Sequence, residues 1–136
     1  MIIVDTGPLY AYVDRRDRNH AASLELLRCH PGPLVVPMLC IAEATYFIGK
    51  RLDAVAEVRF LGDLAAGAFR IEPVHPADWL RIADLVARYR DFPLGTADAA
   101  VVACAERLGI SEVATTDVKH FSAVRPTHVK AFELVL

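Results

Sequence analysis

Residues 2–9, Ile-Ile-Val-Asp-Thr-Gly-Pro-Leu, join a short apolar run to an acidic residue and a turn. The run Ile2–Val4 predicts a buried first strand, because consecutive β-branched residues suit a strand that is covered on both faces. Pro8 suits the first turn of a short helix over Leu9–Val13. Asp5 therefore lies where the first strand ends and the chain turns into a helix.

Short apolar runs alternate with helical patterns along the rest of the chain, which is typical of an α/β domain with a parallel sheet. Further strands are predicted at Leu34–Val36, Phe69–Val74, Glu112–Thr115 and within Val129–Leu136, the last at a sheet edge. Helices are predicted after Asn19 and over Leu39–Lys50, Asp53–Ala66, Pro76–Tyr89 and Thr96–Leu108. We expect a single domain over residues 1–136 with three layers: a mostly parallel sheet of about five strands and helices on both faces.

The composition excludes several classes of protein. The 15 Lys and Arg residues against 17 Asp and Glu residues give a net charge of −2, so the protein does not coat nucleic acid by bulk charge. No apolar run approaches the roughly 18 residues of a membrane span, and no signal peptide is apparent, so we expect a cytoplasmic protein without a membrane partner. The 3 cysteines lack a Cys-x-x-Cys pair, which excludes a disulfide framework and a thiolate zinc site.

Two aspartates lie within two residues of the ends of predicted strands. Asp5 follows the first strand, and Asp117 follows the fourth through Thr116. Ligands of open parallel sheets bind outside the carboxyl ends of the strands, so both acids would lie at the functional edge if these strands are neighbours. Taken alone, either aspartate is more simply explained as the cap of the next helix or as part of a turn.

Two further acids lie on apolar helix faces. Glu43 shares its face with Leu39 and Phe47, where an ionised carboxylate is costly unless it is paired or coordinated. The alternative is a boundary position from which the carboxylate reaches water. Asp98 lies in the first turn of its helix among small and β-branched residues. A favourable interaction with the helix dipole is the alternative there.

Together, Asp5, Glu43, Asp98 and Asp117 predict a pocket in which the four carboxylates converge. Like charges raise one another's pKa, so such a pocket requires a compensating cation. Arginine or lysine could compensate, but a hard divalent ion does so with better geometry. Since no His or Cys lies at ligand spacing, oxygen ligands select Mg²⁺ or Mn²⁺ over zinc. Mg²⁺ commonly binds phosphate oxygens as well, which indicates phosphoryl-ester chemistry.

The order of these acids resembles the PIN-domain nucleases. Residues Ile3–Leu9 resemble their opening motif, and Glu43 in Ile-Ala-Glu-Ala resembles their helical second acid. Residues Leu94–Ala99 resemble the third motif, and Ala114–Asp117 with Phe121 resemble the fourth. The resemblance extends over essentially the whole chain, and the size is most similar to the VapC-type toxins of bacterial toxin–antitoxin pairs.

This resemblance implies an endoribonuclease that depends on Mg²⁺ or Mn²⁺ and hydrolyses RNA phosphodiesters by a metal-activated water, leaving a 5′-phosphate. Asp5 and Asp98 would be the principal metal-binding acids, Glu43 and Asp117 would complete the pocket, and Thr115 would be a supporting hydroxyl. The implied partners are the RNA substrate, a cognate antitoxin protein and a second copy of the chain in a homodimer. His120 stands where relatives often carry another acid, which leaves the number of metal ions, one or two, open.

RNA contacts are predicted from basic residues near the motifs. The candidates are Arg15, Arg16, Arg18, Lys119 and His120. Lys50, Arg51, Arg88 and Arg90 are assigned instead to solvated helix C termini, where positive charge is favourable. Trp79 is assigned to the core.

Three alternative functions compete with the toxin. A PIN-like module could have lost strong catalysis and bind RNA or protein, and a housekeeping RNA-processing nuclease could have the same site without an antitoxin. A phosphatase with Asp5 as its nucleophile is disfavoured, because Gly7 occupies the place of the second acid that such enzymes carry.

Overall fold

The computed structural model describes residues 1–136, which form five strands and seven helices. The strands are β1 (Ile2–Val4), β2 (Leu34–Pro37), β3 (Arg70–Glu72), β4 (Glu112–Ala114) and β5 (Glu133–Val135). The helices are α1 (Thr6–Val13), α2 (His20–Cys29), α3 (Met38–Arg51), α4 (Ala54–Ala65), α5 (Pro76–Arg88), α6 (Thr96–Leu108) and α7 (Val118–Ala123). None of these helices has the length and apolar character needed to cross a membrane.

All five strands are parallel, in the order β3-β2-β1-β4-β5. The prediction of a mostly parallel sheet of about five strands is therefore confirmed, and β5 lies at an edge as expected. The central strand β1 is completely buried. Ile3 lies opposite Val35 of β2 on one side and Val113 of β4 on the other.

The strand order reverses its direction at β1. The chain first adds β2 and β3 on one side of β1 and then returns to add β4 and β5 on the other side. Right-handed crossovers place the helices of the two halves on opposite faces, which gives the three layers. Ligands bind outside the carboxyl ends of the strands at such a reversal. Asp5 and Asp117 both lie there, one after β1 and the other after β4.

Small side chains let α6 pack deeply. Every residue from Ala99 to Ala105 is buried, and α6 contacts both α3 and α5. Gly109 ends this helix in the left-handed conformation at φ 69°, as the sequence predicts. The deep packing of α6 carries Asp98, in its first turn, towards the carboxyl ends of the strands.

Several elements differ from the prediction: β3 covers only Arg70–Glu72 instead of Phe69–Val74, and further differences concern α1, β2 and α7. Helix α1 begins at Thr6, so the turn predicted at residues 6–8 is already helical. Pro37 is the last residue of β2 instead of lying outside it. Helix α7 was not predicted, because its six residues are too short to show a helical period.

The assignment of Trp79 to the core is wrong, because this residue is 49% exposed. The buried face of α5 instead contains Asp78, Ile82 and Leu85. Asp78 can point inward because Arg107 of α6 lies beside it, with the Nε atom 3.1 Å from Asp78 Oδ2. An ion pair thus occupies the place that periodicity alone assigns to an apolar side chain.

Candidate metal and active site

Asp5 is held in place by the neighbouring strand β4. Its backbone N–H donates to the carbonyl of Ala114 at 3.0 Å, and the Thr115 hydroxyl donates to Asp5 Oδ2 at 2.8 Å. Only 4% of Asp5 and 3% of Thr115 are exposed. On the α3 side, the Cys40 thiol donates to Asp5 Oδ1 at 3.8 Å. The Asp5 side chain makes no capping hydrogen bond to α1, so the helix-cap alternative is wrong for this residue.

Asp117 is positioned by both Thr115 and the first turn of α7. Its backbone N–H donates to Thr115 Oγ1 at 2.9 Å, and its Oδ1 accepts the backbone N–H of His120 at 3.0 Å. The second carboxylate oxygen contacts Nδ1 of the His120 ring. This ring packs against Phe92, with the ring centroids 5.1 Å apart. The capping interpretation therefore holds for Asp117, and Thr115 connects the two strand-end acids through one hydroxyl.

Glu43 and Asp98 reach the same pocket from α3 and α6, so all four predicted acids line one space of about 350 Å³. We call this space the acid pocket. Gly7 also lines it, and a Cβ atom at this position would lie 2.1 Å from Thr116 Oγ1. A side chain at residue 7 would therefore require Thr116 to move where α1 approaches the loop after β4.

Neighbouring carboxylates raise the pKa of Asp5 and of Asp98 in addition to the effect of burial. Burial raises the pKa of Asp5 to about 7, the charges of Asp98 and Glu43 act in the same direction, and the Thr115 hydrogen bond opposes them. Burial also raises the pKa of Asp98, and the charges of Asp117 and Glu43 add to the increase. The four acids therefore interact although they come from four separate parts of the sequence.

The residues of the acid pocket fit a divalent cation. No lysine or arginine forms an ion pair with any of the four acids. The Thr6 hydroxyl, which lines the same pocket, is buried without a hydrogen-bond partner. Carboxylate and hydroxyl oxygens that are left without a counter-charge are suited to a hard ion such as Mg²⁺ or Mn²⁺.

The expectation that no histidine lies at ligand spacing is wrong for His120. One ligand atom from each of Asp98, Asp117 and His120 lies within 4.8 Å of the other two. Helix α7 causes this proximity, because its first turn brings the side chain three residues after Asp117 back towards the carboxylate. The sequence contained this signal as the spacing Asp-x-x-His, which becomes informative only once a helix is recognised there.

The basic residues predicted to contact RNA lie at different places relative to the acid pocket. None of Arg15, Arg16 and Arg18 lines the acid pocket, whereas Asp17 and Asn19 of the same loop do. Lys119 is exposed, with its ammonium 5.8 Å from the centroid of the Phe92 ring.

Arg51, which was assigned to a solvated helix end, lines the acid pocket. It lies in the last turn of α3 as expected, but on the same face as Glu43 and Phe47. The repeated four-residue step from Glu43 through Phe47 to Arg51 could have identified it.

Similarity to known proteins extends over almost the whole chain. Residues 2–125 match the family profile of the PIN domain. The chain is 37% identical over 125 residues to ribonuclease VapC26 of Mycobacterium tuberculosis, which covers 92% of this chain and 93% of the relative.

Solved structures give the same fold. The structure of M. tuberculosis VapC20, described as a toxin that cleaves the sarcin-ricin loop, matches with a TM-score of 0.84 at 21% identity, covering 96% of this chain and 99% of the other. A toxin–antitoxin complex from Klebsiella pneumoniae matches with a TM-score of 0.67 at 22% identity, covering 91% and 92%. The resemblance that was based on the four acidic motifs is confirmed, and the chain belongs to the PIN-domain family.

Proposed function

We propose that this protein is an endoribonuclease that requires a divalent cation and acts as the toxin of a toxin–antitoxin pair. The observation that carries the proposal is the convergence of Asp5, Glu43, Asp98 and Asp117 on one pocket in which no lysine or arginine forms an ion pair with them. The name of the relative VapC26, a ribonuclease, supports RNA as the substrate. The acids provide oxygen ligands, and none of them is needed as a nucleophile.

The ion would be held by Asp5, Asp98, Asp117 and Glu43, with His120 offering one nitrogen beside them. When bound, Mg²⁺ or Mn²⁺ supplies a water of lowered pKa and stabilises negative charge on the phosphate. Because the pKa of Asp5 is about 7, this carboxylate carries a proton in much of the metal-free protein at neutral pH. Loss of that proton makes Asp5 available as a ligand.

The hydrogen bonds around the acids hold them in position before any ligand binds. Thr115 fixes one oxygen of Asp5 and the backbone of Asp117 at the same time. His120 contacts one oxygen of Asp117 through its ring and the other through its backbone N–H. A site whose groups are already oriented loses less free energy on reaching the reactive arrangement.

Two protein partners belong to the proposal. The Klebsiella toxin–antitoxin complex, which has a similar fold, supports a cognate antitoxin that silences the nuclease. The homodimer stays a prediction, and light scattering of the purified chain measures it. Coexpression with each small open reading frame that adjoins the gene tests for the antitoxin, and copurification of one such product with this chain is the expected result.

The experiment that tests the nuclease compares wild type with Asp98→Asn on defined RNAs, in Mg²⁺, in Mn²⁺ and in EDTA. Metal chemistry lowers the activation barrier by several kcal/mol, so we expect Asp98→Asn to cleave about 10³-fold more slowly. Wild type should cleave in Mn²⁺, leave 5′-phosphate ends and be inactive in EDTA. The ends are mapped by primer extension.

Asp91→Asn is the matched control, because Asp91 is exposed and lies outside the acid pocket. This variant should cleave as wild type does. Equal rates for Asp98→Asn and wild type would contradict the proposed site. An intact wild type that binds RNA without cleaving any of the substrates would favour the catalytically weak binding module. Cleavage without any antitoxin partner would favour the housekeeping nuclease.

A further inference from the structure

Arg51 is the one basic side chain that lines the acid pocket. It follows Glu43 and Phe47 along one face of α3, at steps of four residues. A cation beside four carboxylates would ordinarily form an ion pair with one of them. Arg51 forms none, so its charge is not used to neutralise the acids.

Two aromatic rings hold the Arg51 guanidinium instead. Its Cζ atom lies 4.4 Å from the centroid of the Phe47 ring and 5.3 Å from that of Tyr10. The two rings contact each other edge to face, and the Tyr10 hydroxyl is fixed by donating to Asp14 at 2.7 Å. A guanidinium that stacks on aromatic faces keeps the N–H donors at its edge available.

Two other arginines that contact side chains across the fold are arranged differently. Arg81 and Arg107 direct their donors into carboxylates at 2.6–3.1 Å. They serve the fold, whereas Arg51 offers a planar fork of donors at the wall of the acid pocket. Such a fork matches the two oxygens of a phosphate group.

We propose that Arg51 binds a phosphate of the RNA backbone and so positions the substrate beside the acid pocket. The inference rests on the proposed function, because it assigns a substrate contact to that same site. It also explains how a polyanion approaches four carboxylates: the ion neutralises part of their charge, and Arg51 supplies a direct phosphate contact.

The test compares Arg51→Gln with Lys50→Gln. Lys50 is the adjacent residue, and its ammonium also lies over a ring, 5.5 Å from the centroid of Tyr46, but it does not line the acid pocket. Both variants remove one positive charge from the end of α3. Binding of a fluorescent single-stranded RNA is titrated in EDTA, where cleavage does not occur, at several salt concentrations between about 50 and 200 mM.

Arg51→Gln should weaken RNA binding about tenfold, the effect of losing a charge-assisted hydrogen bond. It should also reduce the slope of log affinity against log salt by about 0.7, the value for one phosphate contact on a single strand. Arg51→Lys should keep the slope and lose part of the affinity, because it keeps the charge without the fork. In Mn²⁺, Arg51→Gln should raise KM about tenfold and leave kcat within about twofold.

Lys50→Gln should leave the affinity and the slope unchanged. Equal effects of the two variants would overturn the inference, because they would indicate a diffuse charge on α3. Unchanged RNA affinity of Arg51→Gln, with or without weaker antitoxin binding, would overturn it as well. The melting temperature and its increase with Mn²⁺ should be the same in Arg51→Gln as in wild type. Absence of cleavage by wild type in Mn²⁺ would instead contradict the proposed function.

Discussion

The protein contains two groups of partly buried acids with opposite surroundings. In the acid pocket, Asp5, Glu43, Asp98 and Asp117 have no lysine or arginine partner. In the second group, which we call the arginine-paired cluster, Glu72, Asp78 and Glu106 contact Arg81 and Arg107. This cluster joins β3, α5 and α6.

The acids of the arginine-paired cluster already have hydrogen-bond partners within the protein. Arg81 contacts both oxygens of Glu106, at 2.7 and 2.9 Å, and Arg107 reaches Glu72 at 2.8 Å and Asp78 at 3.1 Å. The backbone N–H groups of His75 and Thr127 donate to Asp78 and Glu106. These acids are satisfied by the fold itself, so they contribute to structure.

Glu106 in the arginine-paired cluster and Asp5 in the acid pocket have pKa values shifted in opposite directions. Burial alone would raise the pKa of Glu106, but hydrogen bonds from Arg81 and the Thr127 backbone bring it below its usual range. Burial raises the pKa of Asp5 to about 7, and nothing cationic opposes it. Acids that the fold leaves without compensation mark the place where a ligand must supply the missing charge.

The largest expected effect on stability concerns Asp5 in the metal-free protein. The folded state keeps the Asp5 proton up to pH about 7, whereas the unfolded state loses it near pH 3.8. The folded state binds more protons between these values, so stability falls as the pH rises from 4 to 7. Asp5→Asn removes the free-energy cost of ionising this buried carboxylate. The variant should therefore be more stable than wild type at pH 8 by on the order of 4 kcal/mol.

Urea unfolding in EDTA at pH 4.5, 6 and 8 measures this difference. The two proteins should have similar free energies of unfolding at the lowest pH and diverge as the pH rises. If the free energies of unfolding of the two proteins changed in parallel over the whole pH range, burial would not disfavour ionised Asp5. The acid pocket would then not differ from the arginine-paired cluster in the way described.

Removing an arginine from the arginine-paired cluster should have a large effect in the opposite direction. Arg107→Met leaves Glu72 and Asp78 buried without their main partner and should lower the free energy of unfolding by about 3 kcal/mol. This is the lower end of the range for buried pairs, because 22% of the Arg107 side chain is exposed. Thermal unfolding measures the change.

Arg88→Met provides the control, because Arg88 is exposed at the end of α5. It should change the free energy of unfolding by less than about 0.5 kcal/mol. RNA cleavage by folded Arg107→Met should equal that of wild type. A large loss of cleavage at a temperature where the variant is folded would contradict a purely structural role.

The third expected effect is that Mn²⁺ stabilises the protein only when the acid pocket is intact. Mn²⁺ at about 100 times its dissociation constant should stabilise wild type by about 2.7 kcal/mol. Asp98→Ala should gain much less, because the acid pocket loses a ligand, whereas Arg88→Met should gain as much as wild type. Melting curves with and without Mn²⁺ measure this. An equal gain in Asp98→Ala would place the ion elsewhere.

The smallest expected effect concerns His120. An imidazole nitrogen favours Mn²⁺ over Mg²⁺ more than a carboxylate does, so wild type should bind Mn²⁺ more tightly than Mg²⁺. His120→Gln should weaken Mn²⁺ binding about tenfold and change Mg²⁺ binding less. Isothermal titration calorimetry measures both affinities. An equal loss for the two ions would show that His120 acts only by orienting Asp117.

The sequence predicts the sheet and the four acids because both depend on local pattern. The apolar run before Asp5 and the fourth strand before Asp117 define two strand ends, and parallel strands bring their ends to one edge. Glu43 was identified because an acid stands out on an apolar helix face. These signals require no knowledge of which elements touch.

The features that were missed depend on contacts between elements. Trp79 lies outside the core because Arg107 of another helix lets Asp78 occupy the buried position. Arg51 enters the site because α3 packs against α1 and the Tyr10 ring lies beside it. His120 is the exception, because its position depends on α7, whose six residues are too few to be recognised by periodicity. For Trp79 and Arg51, partners far apart in the chain decide the surroundings of the side chain, and periodicity shows only which residues share a helix face.

The hydroxyl of Thr115 and the carboxylate of Asp5 that it supports are separated by 110 residues. During translation Asp5 therefore leaves the ribosome 110 residues before the hydroxyl that supports it. A growing chain has no complete set of candidate ligands until β4 and Asp117 have been made. A product that ends before β4 lacks both Thr115 and Asp117, so the acid pocket cannot be complete in it.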